Sequence, residues 1–106
     1  MLGLDVVCIR KFEVAILSTP QIIDVILHRD EKLQSTSVQF IAGRFAAKEA
    51  LIKSDIGIKS FREFSDIKIS SNDGGVLQTK WNDRTVNVAL SITHDCDYAA
   101  AVVLRI

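Results

Sequence analysis

The chain has 106 residues, enough for one small domain with a single modest core, and 48% of them are hydrophobic. Thirteen Lys and Arg residues against thirteen Asp and Glu leave no net charge, so nothing points to bulk attraction for nucleic acid or a membrane surface. No apolar run approaches the length of a membrane-spanning helix, and the N-terminus lacks the basic segment of a signal peptide. Cys8 and Cys96 form no metal-ligand spacing and read as reduced thiols of a cytoplasmic protein, although their separation does not exclude a disulfide.

In chain order, Gly3 to Ile9 reads as a β-branched strand with Leu4, Val6 and Cys8 on one face and Gly3, Asp5, Val7 and Ile9 on the other. Asp5 is thus a carboxylate inside an apolar strand, which fits either a solvated edge position or a cation site. Arg10 to Leu17 reads as a helical turn or an irregular connection. Thr19-Pro20 supplies an N-cap and first helical position for a short helix over residues 20 to 28, striped by Ile22, Ile23, Ile26 and Leu27. The run His28-Arg29-Asp30-Glu31-Lys32 reads as a solvated charged stretch.

A long helix follows over residues 40 to 53, with Thr36-Ser37-Val38-Gln39 fitting a capping box ahead of it. Apolar side chains occur on most sides of it, the mark of a core helix, so Glu49 is expected to be partly buried. A buried carboxylate calls for a cation, and Lys53 one turn on or a metal ion would serve. Arg44 and Lys48 share a different edge. The helix is expected to end near Gly57, with a helical turn around Phe61 and Phe64 beyond it. Strands are expected over residues 66–70, 76–81, 85–93 and 98–106, with Asn72-Asp73-Gly74-Gly75 as the turn between the first two. Val86, Val88, Leu90 and Ile92 fill one face of the third strand, and Asn87, Ser91 and Thr93 the other. The order gives an α+β fold in which a long helix packs on a mainly antiparallel sheet.

Residues 40 to 53, Phe-Ile-Ala-Gly-Arg-Phe-Ala-Ala-Lys-Glu-Ala-Leu-Ile-Lys, closely resemble the long-helix motif of holo-(acyl-carrier-protein) synthases, which are 4′-phosphopantetheinyl transferases. The opening Gly3-Leu4-Asp5-Val6 and the late Ser91-Ile92-Thr93-His94 resemble two further motifs of that family. The resemblance implies that Asp5 and Glu49 bind Mg²⁺ on the diphosphate of coenzyme A, the substrate. It further implies that Lys53 stands beside that diphosphate, to offset charge or to assist deprotonation of the attacking hydroxyl, and that Thr93 and His94 contact phosphates. Arg44 is a further candidate for phosphate contact, which packing or an ion pair on the helix edge explains nearly as well. The implied reaction moves 4′-phosphopantetheine to a serine of an apo acyl carrier protein and releases adenosine 3′,5′-bisphosphate, in the service of fatty acid biosynthesis. The short members of the family are homotrimers with coenzyme A at subunit interfaces.

Three departures stand out. Residues 12 to 27 contain no Lys or Arg, where family members carry basic side chains that dock the acidic carrier, and the connection into the long helix is shortened. The family's Gly-rich segment is reduced to Ser54-Asp55-Ile56-Gly57-Ile58. The missing basic side chains and the trimmed Gly-rich segment carry the alternative of a catalytically impaired relative that acts as a coenzyme A-binding or assembly module. A third reading is a plain α+β domain whose Glu49–Lys53 pair is structural.

Overall fold

The long helix, α4, spans Val38–Lys53 in the computed structural model, which describes residues 1–106. Its N-cap is Ser37, whose Oγ accepts from the Phe40 N–H at 3.2 Å. The third helical position is therefore Phe40, so the capping box reduces to its serine half. Ile41, Ala42, Gly43, Arg44, Ala46, Ala47, Lys48, Ala50 and Leu51 are all buried. The small residues among them let neighbouring backbone approach α4 closely.

Strand β1 (Leu2–Cys8) uses that access. A Cβ placed on Gly3 would lie 1.9 Å from the Ala50 carbonyl oxygen, so only glycine lets β1 rest directly on α4. Strands β5 (Val88–Asp95) and β6 (Tyr98–Arg105) complete an antiparallel sheet in the order β1-β6-β5. Asp5 pairs with Ala101 across it, and Thr93 with Ala100. The face of this sheet turned from α4 is apolar and open, with Leu2, Leu4, Val6, Val102 and Leu104 exposed.

The other strands form a second antiparallel sheet, β2 (Ile67–Ser71), β3 (Leu77–Trp81) and β4 (Arg84–Thr85). The main core lies between the elements, with Ala46, Ala47, Ala50, Leu51, Phe64, Ile67, Ile69 and Val103 fully buried.

Several expectations are refined. Residues Arg10 to Leu17 lie within a true helix, α1 (Ile9–Ser18), and the striped segment forms α2 (Ile22–Ile26). The strand expected over 85–93 splits into β4 and β5, with Val86 N–H bonded to Thr79. Helix α4 ends at Lys53, and Gly57, at φ +108°, serves the following loop instead. The charged run from His28 is not a solvated stretch but the start of α3 (Arg29–Gln34), and Glu31 within it is fully buried. His28 caps α3 through its Nδ1, which accepts from the Asp30 N–H at 3.0 Å.

Candidate functional site

The approach of β1 to α4 brings Asp5, Glu49 and Lys53 together. Asp5 lies on the inner face of β1, one residue pair beyond Gly3. Lys53 Nζ donates to Asp5 Oδ1 at 3.1 Å and to the Leu4 carbonyl at 3.0 Å. Glu49, one turn earlier on α4, is half-buried, and its pKa is raised. Partial burial is the main cause, and the charge of Asp5 adds to it, while Lys53 acts in the opposite direction. A second carboxylate whose charge raises the proton affinity of Glu49 makes this a site short of positive charge. No group of three or more His, Cys, Asp or Glu side chains is arranged to hold a metal ion by itself. A pair of carboxylates nevertheless suits Mg²⁺, which takes one or two of them and completes its shell with waters and substrate phosphates.

Glu49 also lines an apolar cavity of about 380 Å³ formed with Ile22, Val25, Ile26, Phe45 and Phe61. Val25 and Phe61 are exposed at its rim, and Val14 and Leu17 of nearby α1 are exposed as well.

Arg44 and His94 meet in a second cavity, of about 360 Å³. It lies at the N-terminal end of α4 and is also lined by Ser35, Ser37, Gln39 and Ser71. A helix N-terminus with a guanidinium and an imidazole nearby is an environment for an anion. Arg44 stacks over the Phe40 ring at 4.3 Å. Neither Asp5, Glu49 nor Lys53 lines this cavity. Thr93 stands apart from its neighbour: successive residues of a strand face opposite ways, and Thr93 joins Leu4, Ser91 and Val102 in a shallow depression on the open sheet face. The sequence-derived residues thus fall into three places: the carboxylate cluster, the arginine cavity and the outer face.

Beneath the arginine cavity lies a buried ion cluster. Glu31 Oε1 accepts from Lys48 Nζ at 2.5 Å, and Oε2 lies 3.4 Å from Arg44 Nε. Burial lowers the Lys48 pKa to about 8, with Arg44 adding to the effect, although the charge and hydrogen bond of Glu31 oppose it. Burial likewise lowers the Arg44 pKa against the pull of Glu31. The signal in the sequence was the pair of cations, Arg44 and Lys48, on one edge of a helix apolar on most sides. Such a pair requires an anion from elsewhere in the chain.

The sequence matches the family model described as the 4′-phosphopantetheinyl transferase superfamily over residues 1–103. It is 36% identical over 110 residues to the holo-[acyl-carrier-protein] synthase of Geobacillus sp. (strain WCH70), covering 97% of this chain and 92% of that protein. It is 39% identical over 114 residues to the synthase of Oceanobacillus iheyensis, covering 96% and 92%. The fold superposes on the crystal structure of the Helicobacter pylori holo-[acyl-carrier-protein] synthase in complex with coenzyme A at a TM-score of 0.83, with 29% identity and 98% of each chain covered.

Proposed function

The chain belongs to the 4′-phosphopantetheinyl transferase superfamily and, within it, to the holo-(acyl-carrier-protein) synthases; from that premise we propose that it transfers 4′-phosphopantetheine from coenzyme A to a serine of an apo acyl carrier protein. The observation that carries the reading is the cluster of Asp5, Glu49 and Lys53.

Asp5 and Glu49 would hold Mg²⁺, which when bound offsets charge on the coenzyme A diphosphate. Lys53 already donates to Asp5, so it serves as a fixed positive charge for the transferring phosphoryl group rather than as a base. The serine oxygen bonds to the phosphorus that bears pantetheine, and the bond from that phosphorus to the bridging oxygen breaks. The electron pair leaves with adenosine 3′,5′-bisphosphate, and the serine proton passes to solvent. Arg44 and His94 would take a nucleotide phosphate in their cavity. The apolar cavity at Glu49 and its exposed rim would take the carrier by apolar contact, with its serine directed toward Glu49.

The open face of Leu2, Leu4, Val6, Val102 and Leu104 supports self-association, with Thr93 in the contact. A trimer would let the carboxylate cluster of one copy meet the arginine cavity of the next. Single-domain organisation and a cytoplasmic location belong to the same reading. The deciding experiment incubates the protein with coenzyme A, Mg²⁺ and an apo carrier and weighs the carrier by mass spectrometry. Phosphopantetheine gain that disappears on chelation supports the reading, and an unmodified carrier in a folded, coenzyme-binding sample refutes it.

A further inference from the structure

Glu31 is one anion shared by two cations, and they share it unequally. Lys48 is satisfied in full: its ammonium donates to Glu31 Oε1, to the Ile26 carbonyl at 2.7 Å and to the Phe64 carbonyl at 2.9 Å. Glu31 is held on its other sides by the His28 N–H at 2.9 Å and the Ile69 N–H at 3.1 Å. The carboxylate thus pins α3 to α4 and β2 and cannot move independently of them. Arg44 is treated differently. Its Nε stands 3.4 Å from Glu31 Oε2, outside hydrogen-bond geometry, and is buried without a hydrogen-bond partner. One negative charge against two positive ones leaves the cluster with a surplus, and Arg44 is the member that lines the cavity with His94.

We propose that Glu31 is a positioning residue for nucleotide binding: its carboxylate, fixed by Lys48, the His28 N–H and the Ile69 N–H, sets the Arg44 guanidinium against Phe40 with its unspent charge facing the cavity. The anion that fits there is a phosphomonoester dianion of the kind borne by adenosine 3′,5′-bisphosphate. This inference rests on the transferase reading above. Glu31 touches no ligand; it acts through Arg44. Its burial between three elements fixes the guanidinium more tightly than stacking on Phe40 alone would, since an arginine side chain otherwise has much rotamer freedom to lose on binding.

The test is a double-mutant cycle in the full-length protein with Glu31→Gln, Arg44→Gln and the pair, read by calorimetric titration with adenosine 3′,5′-bisphosphate. Glu31→Gln is expected to weaken binding about tenfold, within the range for coupled neighbours. In the Arg44→Gln background the same change should cost nothing further. In steady-state assays the KM for coenzyme A should rise while kcat and the KM for the carrier stay within about twofold, a split that a general loss of structure does not produce. Equal weakening in both backgrounds, or a fall in kcat with the coenzyme A KM unmoved, overturns the proposal. Because Glu31→Gln disturbs a buried cluster and can fail to fold, the wild-type protein supplies a second readout. The Arg44 Nε–Hε resonance should be shifted from that of free arginine and protected from exchange before any ligand is added. A free-arginine shift with rapid exchange overturns the positioning role. A protected resonance in a protein that binds no bisphosphate instead overturns the transferase reading.

Discussion

Lys53 pairs with Asp5 across the β1–α4 contact rather than with Glu49 on its own helix, donating to Asp5 Oδ1 at 3.1 Å. The order Glu49, Lys53 favours a pairing within α4, worth about 0.2–0.5 kcal/mol. The strand offers more: an ammonium has three donors, and β1 provides both the Asp5 carboxylate and the Leu4 carbonyl. Asp5 is also largely buried, its side chain 16% exposed, so it gains from a neighbouring cation.

Replacing Lys53 should therefore affect both chemistry and titration. Transfer by Lys53→Met should fall on the order of 10²-fold, as for the loss of one preorganised charge. Lys53 holds the Glu49 pKa down, so its removal lets that pKa rise further. The acid limb of the pH–rate profile should move to higher pH. A limb that stays in place would show that it does not report Glu49.

Glu49→Gln should abolish transfer and leave the fold intact. Its stability effect has a definite sign. Because the Glu49 pKa is raised on folding, the ionised carboxylate costs stability above the ordinary value of 4.5, and below it the group is protonated in both states. The variant should melt at or above the wild-type temperature near neutral pH, with the gap closing as pH falls through that value. Melting scans across that pH range decide it, and a variant that melts well below wild type at neutral pH would assign Glu49 a structural role.

Lys48→Met removes the fully buried partner of Glu31. Breaking a buried pair in this way costs about 3–5 kcal/mol. In a domain of this size each kcal/mol lowers Tm by roughly 4–8 °C, so circular dichroism should register a large drop. A loss of only a few degrees would mean that Arg44 compensates Glu31 unaided.

Gly3→Ala forces a methyl into the Ala50 carbonyl. Overpacking of this kind costs about 1–3 kcal/mol where the backbone can give way. If β1 shifts to relieve the contact, Asp5 moves with it, so transfer should suffer more than stability. A crystal structure of the variant with the Asp5–Lys53 distance unchanged and full activity retained would show that the close approach is dispensable.

Docking of the carrier should depend little on salt. Residues 12 to 27 hold no basic side chain, and the exposed large apolar groups there and at the cavity rim are Val14, Leu17, Val25 and Phe61. Distant charges are screened beyond about 8 Å at physiological salt. Leu17→Asp should raise the KM for the carrier, whereas Arg10→Ala, Lys11→Ala and Arg29→Ala test the flanking charges. A steep salt dependence left untouched by all four changes would place docking on another surface.

The elements that carry Asp5 and Glu49 were legible because each has a strong local signal: alternation in β1, and apolar residues on most sides of α4. The alternation in β5 likewise separates Thr93 from Ile92, and His94 follows Ile92 onto the inner side. Glu31 was not legible. Its partners Lys48 and Ile69 lie 17 and 38 residues away, and within a charged run nothing local marks one carboxylate as buried. The pairing of Lys53 was hidden for the same reason, since Asp5 is 48 residues distant. Short-range patterns specify elements, while ion pairs between elements depend on how those elements pack.

The cavity of Arg44 and His94 contains none of the Asp5, Glu49 and Lys53 cluster, and that separation has a genetic reading. In an assembly whose sites form between copies, a chain with a broken carboxylate pair can still lend its arginine cavity to a neighbour. Two inactive alleles, Asp5→Asn and Arg44→Gln, would then complement each other when co-expressed. Mixed oligomers would recover a share of the activity that neither allele encodes, whereas two lesions in the same half would never rescue one another.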